Sequence, residues 1–527
     1  MPQKGILSGK GKKVKVLLIA ILLLGAFLRV YGLGTESFWL DEADTAQSTE
    51  FTVPQIIEKT YTDSTIFPEF WGGGAGSVPL YYVLVNYWTE IFGLSEFKLR
   101  LISALFGVIS IYLIFLLGRF LFNSQTGLIA AFILAINHQQ IYFSQEARMY
   151  GMLVTLTLLS VLFLLRALSD GKTIHWVVFV ITNAALLYTH YFSFFILFFE
   201  GLYVLIYWQK HKKFLKQIFF SAAAIFVLYL PWIPALIKQL SYGPPLDRVI
   251  GAPPLSGLIT DLFQIMIQFN SWISPDLSNR IALRTMNFFG LTNSGWLLII
   301  SVVMLALLLG SAFIFGLIYL KNRKICTSSL KDHKVIFLLL WLLIPVLIPF
   351  LISVFSPKNA IFSDIRYVLF ASPAYYLIAS LGISRIKKQK TIFLALLALF
   401  SLIPLYSYYA NFDTQQWREA SDYLEINRSP DEYLFIQKAN NILPLQYYYP
   451  NMANVIAIDS INQFTPQLEN KQSFWLVLSL EKYTDPKGLV KTHADAHYTL
   501  TEKNEYNGIK IFHYIQTKDV LITAQNN

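Results

Sequence analysis

The sequence predicts a polytopic α-helical membrane protein with a small α/β domain at its C-terminal end. Three observations carry this. The 527 residues are 55% hydrophobic, with a mean hydropathy of +0.49, too apolar for a soluble chain of this size. Apolar runs of spanning length recur up to about residue 410. Beyond Asn411 the composition turns mixed and weakly acidic, with 10 basic and 14 acidic residues.

The net charge of +10 fits basic cytoplasmic loops and not nucleic-acid binding. One cysteine, Cys326, excludes an intramolecular disulfide and a Cys-based metal site. Residues 1–15 hold five lysines and no acid, which predicts a cytoplasmic N-terminus. Val16–Leu33 then reads as an uncleaved signal anchor and first span. Arg29 sits near its outer end, either snorkelling or aimed at a lipid phosphate.

A mixed loop follows to about Lys98. Residues 51–60 suit a short amphipathic helix, and Gly72 to Gly76 a flexible joint. Residues 79–93 are apolar but too short to cross, since a span needs roughly 20 residues. Charge decides their placement. With this piece lying in the interface, the inner segments carry 21 Lys+Arg and two acids, Asp170 and Asp332. The outer loops before residue 410 carry 10 Lys+Arg and 15 acids. This bias makes residues 79–93 a juxtamembrane helix. Further spans are expected at 99–117, 128–143, 150–168, 174–191, 192–208, 214–236, 295–320, 335–355, 366–384 and 392–409. The total is eleven, which places the C-terminus outside. Residues 241–294 form a second long outer loop with the make-up of a lid. Glu200, inside a span, reads as a bonded structural carboxylate. The domains are therefore 1–410, a transmembrane unit, and 411–527, a soluble extracytoplasmic unit. In the latter a helix is expected at 417–426 and strands at 433–437, 455–458, 474–479, 498–500 and 509–515.

On the outer face this topology gathers Arg29, Asp41, Glu42, Asp44, Glu146, Arg148, His190, Asp364 and Arg366. Acids beside a bilayer are costly unless hydrated, paired or used. Sugar transfer from a polyprenyl phosphate needs such a place: the lipid tail stays in the membrane while phosphate and sugar lie at its surface. Transfer with inversion requires a carboxylate to take the acceptor's hydroxyl proton, and cations to receive the leaving phosphate. Asp41 fits the base. Arg29, Arg148 and Arg366 are candidates for the phosphate. Glu146 could position the acceptor, pair with Arg148, or ligate a metal with Glu42 or His190.

Several stretches carry a family resemblance. Trp39-Leu40-Asp41-Glu42-Ala43 after the first span resembles the acidic first-loop motif of GT-C-fold glycosyltransferases. Pro79-Leu80-Tyr81-Tyr82, Phe97-Lys98-Leu99-Arg100-Leu101 and Ser144-Gln145-Glu146-Ala147-Arg148-Met149-Tyr150 are similar to the landmarks that follow in family 39. That family includes protein O-mannosyltransferases and lipid A aminoarabinose transferases. Arg366-Tyr367 resembles the opening of a late span. The resemblance covers about residues 14–410. It implies a GT-C fold, Asp41 as catalytic base with Glu42 beside it, and substrate contacts from Arg29, Glu146, Arg148, Tyr150, His190, Arg366 and Tyr367. It implies a polyprenyl-phosphate sugar donor and a hydroxyl acceptor, glycolipid, glycan or protein, on the outer face of the plasma (inner) membrane. A divalent metal is admitted as a cofactor, and no other cofactor is implied. Ser77-Val78-Pro79 departs from the family's His-Pro-Pro. The competing class is a transporter, which would favour charged or helix-breaking residues at mid-membrane in repeated halves. The polar clusters here sit at outer ends, and no repeat is visible.

Overall fold

The computed structural model describes residues 9–62, 78–241, 296–322, 333–355, 369–386, 388–410, 414–468, 471–485 and 487–516. Residues 242–294 of the expected lid, the glycine joint, Cys326, Asp364, Arg366 and Tyr367 lie outside the described residues, as does the start of the tenth expected span.

The N-terminal part is helical. It runs α1 (Gly9–Val30), α2 (Leu40–Ser48), α3 (Val53–Thr62), α4 (Leu80–Phe92), α5 (Glu96–Leu121), α6 (Ser124–Ile136), α7 (His138–Gln145), α8 (Tyr150–Asp170), α9 (Thr173–Leu187) and α10 (Ser193–Ile206). Helical segments at Trp208–Leu240, Trp296–Asn322, Lys334–Phe355, Ser372–Arg385 and Lys390–Ala410 follow. Among the described residues, six helices are long and apolar enough to cross a membrane, and α6, α9 and α10 are shorter apolar helices. The expected count of eleven spans is not confirmed among the described residues.

The main local difference is at 128–143, expected as one span. It breaks at Asn137, whose side chain accepts from the Gln140 amide at 2.9 Å and so caps α7. The break leaves the last carbonyls of α6 without helical partners. Arg29 meets that need. Its guanidinium donates to the Leu134 carbonyl at 3.0 Å, the Ala135 carbonyl at 3.1 Å and Ser144 Oγ at 3.3 Å. Gly107 leaves the room, because a Cβ there would stand 2.7 Å from Arg29 Nε.

The first loop carries three helices, α2, α3 and α4. At 13 residues, α4 is about 20 Å long and too short to span. Tyr81, Tyr82, Val85 and Asn86 form its buried face. Helices elsewhere meet through small residues, as membrane helices do. A Cβ on Gly382 would lie 1.9 Å from the Ala312 carbonyl oxygen, so Trp296–Asn322 and Ser372–Arg385 touch backbone to backbone.

From Trp417 the chain builds a five-stranded sheet: β1 (Tyr433–Gln437), β2 (Val455–Ile458), β3 (Ser473–Ser479), β4 (Tyr498–Tyr506) and β5 (Ile509–Gln516), in the order β2-β1-β3-β5-β4. Strand β1 pairs parallel with β2 and β3, while β3–β5 and β5–β4 are antiparallel. The central strand β3 is apolar and buried along nearly its whole length, as a strand covered on both faces must be. Trp417, Leu424 and Leu445 pack with one face, and Phe464, Leu468 and Val490 with the other. The helix Trp417–Asn427 and strands β1 and β2 fall where the sequence places them, while β4 extends well beyond 498–500.

Candidate active site

The site is organised around α2, the helix of the Trp-Leu-Asp-Glu-Ala stretch. Residues i and i+3 of a helix share a face, whereas i and i+1 are about 100° apart. Asp41 and Asp44 therefore point one way and Glu42 another, and each face meets its own arginine.

On the Glu42 face, Arg100 from α5 makes a bidentate pair. Nε reaches Oε1 at 2.8 Å and Nη2 reaches Oε2 at 2.6 Å. Glu42 also accepts from the Ala147 amide at 2.8 Å. Arg100 spends its remaining donors on the Leu33, Glu36 and Ser37 carbonyls. Both side chains are buried, 5% and 1% exposed, which makes this a closed structural unit. A cavity of about 330 Å³ opens beside it, lined among others by Trp39, Glu42, Arg100, Tyr142, Glu146 and Tyr408.

On the other face, Arg148 Nη1 donates to the Asp41 carbonyl at 3.1 Å, Tyr82 OH at 3.0 Å and Asp44 Oδ2 at 3.3 Å. Tyr82 OH in turn lies 3.4 Å from Asp44 Oδ2. Burial pushes the Asp44 carboxyl up to about 6, against the pull of Arg148 and with Asp41 adding to the rise. Burial also works against the charge on Arg148, but Tyr82, Asp41, Tyr150 and Asp44 outweigh it and hold its pKa well above the ordinary value. His190, in the turn after α9, is pushed down to about 4 by burial and by the Arg148 charge, so it is neutral at pH 7. That turn is fixed to α4 by the Leu80 amide, which donates to the Tyr188 carbonyl at 3.0 Å.

The sequence-predicted residues therefore divide. Asp41, Arg148, Tyr150 and His190 share one electrostatic environment. Glu42 and Glu146 line the cavity on the other side of α2. Arg29 stands apart in the helix bundle and is fully buried. It neither snorkels nor faces an open interface, because its donors are taken by backbone carbonyls and Ser144. Glu42 is committed to Arg100 and the Ala147 amide, which is a positioning geometry. The pairing of Glu146 with Arg148 does not form: the carboxylate on Arg148 is Asp44. The three candidate metal ligands, Glu42, Glu146 and His190, do not assemble. Among the described residues no group of three His, Cys, Asp or Glu side chains could hold a metal ion.

Sequence reasoning gave no role to Arg100 and Tyr82, and none of its own to Asp44. All three stand in stretches singled out above. The usable signal for Arg100 was a charge at the mouth of an apolar run, where burial demands a partner.

Comparison with known proteins bears on this arrangement. Residues 77–236 match the family model for dolichyl-phosphate-mannose-protein mannosyltransferases, a segment that contains Tyr82, Arg100, Arg148, Tyr150 and His190. No curated protein matches the chain by sequence. Among solved structures it is similar to the oligosaccharyltransferase of Archaeoglobus fulgidus in the apo form, with TM-score 0.56, 15% identity and coverage of 98% of this chain and 75% of that one. It is similar to ArnT from Cupriavidus metallidurans bound to undecaprenyl phosphate, with TM-score 0.56, 12% identity and coverage of 96% and 98%. The Archaeoglobus fulgidus oligosaccharyltransferase AglB in complex with an inhibitory peptide and a dolichol-phosphate gives TM-score 0.55, 15% identity and coverage of 97% and 75%. The fold expected from the motifs is the fold of these glycosyltransferase structures, and residues 77–236 are similar to the mannosyltransferase family model.

Proposed function

We propose that this chain is an inverting glycosyltransferase that moves a sugar from a polyprenyl phosphate to a hydroxyl acceptor on the outer face of the membrane. The observation that carries the reading is the clamping of α2. Arg148 holds the main chain of Asp41 itself, and Arg100 holds the adjacent Glu42. A short helix that carries a carboxylate and is fixed in this way beside apolar helices suits a reaction whose substrate is half in lipid. The family match and the fold support it, and two of the similar structures contain undecaprenyl phosphate or a dolichol-phosphate.

In this reading Asp41 accepts the proton of the acceptor hydroxyl as its oxygen attacks the anomeric carbon. The bond from that carbon to the phosphate oxygen breaks on the opposite face, and polyprenyl phosphate leaves with the electron pair. Arg148 remains a cation throughout and supplies positive potential to the departing phosphate. Neutral His190 offers a hydrogen bond without adding charge. Arg366 and Tyr367 keep the donor-binding role that the family resemblance implies for them.

The test uses purified full-length protein with a panel of polyprenyl-phosphate hexoses and pentoses and measures release of polyprenyl phosphate. Release that disappears in Asp41→Asn, with donor binding retained, is the expected result. Transport of the donor across liposomes without release would overturn the proposal.

A further inference from the structure

The sheet unit does more than follow the membrane part. It is fastened to the short segment Thr35–Trp39 that leads into α2, through a continuous set of polar contacts. The Phe38 amide donates to Tyr448 OH at 2.7 Å. Tyr448 OH donates to Glu96 Oε1 at 2.9 Å. Arg418 closes the set with an ion pair to the same Glu96 oxygen. The Arg418 amide donates to Ser37 Oγ at 3.0 Å, Ser37 Oγ donates to Glu419 at 3.3 Å, and the Thr414 amide donates to Glu36 at 3.1 Å. Apolar contact reinforces this: the Tyr447 ring meets Phe38 edge-on at 4.9 Å, and Arg100 lies over the other side of that environment at 5.4 Å from the Phe38 centroid.

Mechanically, α2 has only nine residues, too few to hold its place by helix propensity. Trp39, at its capping position before Leu40, makes no side-chain cap. The segment entering it is therefore fixed from outside, by Arg100 from below and by Tyr448, Arg418 and Thr414 from the sheet unit. Asp41 lies three residues after the Phe38 amide that Tyr448 receives.

We propose that Glu96, Arg418 and Tyr448 form a latch by which the C-terminal unit sets the position of Asp41, so that this unit is part of the catalytic machinery. The three are positioning residues, and none is assigned contact with substrate. The kinetic side of the proposal rests on the function proposed above, and the mechanical side does not.

Tyr448→Phe keeps the ring against Phe38 and removes only the hydroxyl, and Arg418→Ala removes the ion pair. Both are compared with wild type in full-length protein for kcat, donor KM, thermal midpoint and amide exchange of residues 40–48. Tyr448→Phe is expected to raise exchange in α2 and to lower kcat about tenfold, as sub-ångström misplacement of a reacting group does. Donor KM and thermal midpoint stay near wild type. A charge swap, Glu96→Arg with Arg418→Glu, is expected to recover part of the kcat lost in Arg418→Ala. A generally weakened fold would lower the midpoint and show no such split. Unchanged exchange in α2 for both variants overturns the latch whatever reaction the chain performs. Raised exchange with unchanged kcat overturns the catalytic role. Absence of polyprenyl phosphate release from wild type would instead defeat the proposed function and leave the exchange result standing.

Discussion

Three carboxylates within four residues have three fates, and neighbours decide which. Glu42 is buried against Arg100, so losing one partner leaves a bare charge in an apolar setting. Arg100→Ala should cost roughly 3–5 kcal/mol and lower the thermal midpoint of the purified protein. The double replacement Glu42→Gln with Arg100→Met should recover much of that loss, because both charges go together; a double variant as unstable as the single one would argue against the pair as the cause. Asp44 has its pKa raised to about 6, mainly by burial. A carboxyl raised in the folded state favours folding when protonated. Its contribution is fully present below the unfolded value near 3.8 and is lost as pH rises through about 6. Stability is thus expected to decline across that window, and Asp44→Asn should flatten the decline, as thermal unfolding from pH 4 to pH 7 would show. Asp41 is the residue whose loss should be felt in turnover, with Asp41→Asn lowering kcat roughly 10²–10⁴-fold while the thermal midpoint holds.

Among the elements, most of the helices and four of the five strands could be read from apolar periodicity and run length, because burial imposes them directly. What could not be read was the consequence of one helix end. Arg29 looked like a snorkelling or phosphate-seeking charge because nothing local says that α6 stops at Ile136. Once it stops, its terminal carbonyls need donors inside the bundle, and a cation suits the negative end of the helix dipole. The Glu42–Arg100 pair was hidden for a similar reason. Its partners lie 58 positions apart, and only the return of α5 against the first loop joins them. By contrast, Asp41, Arg148, Tyr150 and His190 were named together because all flank ends of apolar runs, and they do share one electrostatic environment. The close approach of Trp296–Asn322 to Ser372–Arg385 gives a test at this scale. Gly382→Ala would drive its methyl into the Ala312 carbonyl, which backbone cannot avoid by a rotamer change, and should cost about 1–3 kcal/mol. Gly201→Ala is the matched control, because nothing lies within 4 Å of a Cβ there. Equal thermal midpoints for the two variants would contradict the tight backbone contact.

For the whole molecule, the decisive quantity is which side of the membrane Asp41 occupies. Charge bias predicts the outer side, with the basic loops inside. The structure makes that prediction simple to examine without counting spans. The sheet unit bonds directly to the segment before α2 through Tyr448 with Phe38, and to the start of α5 through Arg418 with Glu96, so the sheet unit and α2 must lie on one side. Locating the sheet unit therefore locates Asp41. Ser460, exposed just after β2, can be replaced by cysteine in a Cys326→Ser background, which leaves one thiol. A membrane-impermeant maleimide added to intact cells should label that variant, whereas the native Cys326, which charge bias predicts to be cytoplasmic, should be labelled only after lysis. The reverse pattern would put Asp41 among the basic loops in the cytoplasm. A lipid-linked donor presented at the outer surface could not reach it there, and transfer on that face would be physically excluded.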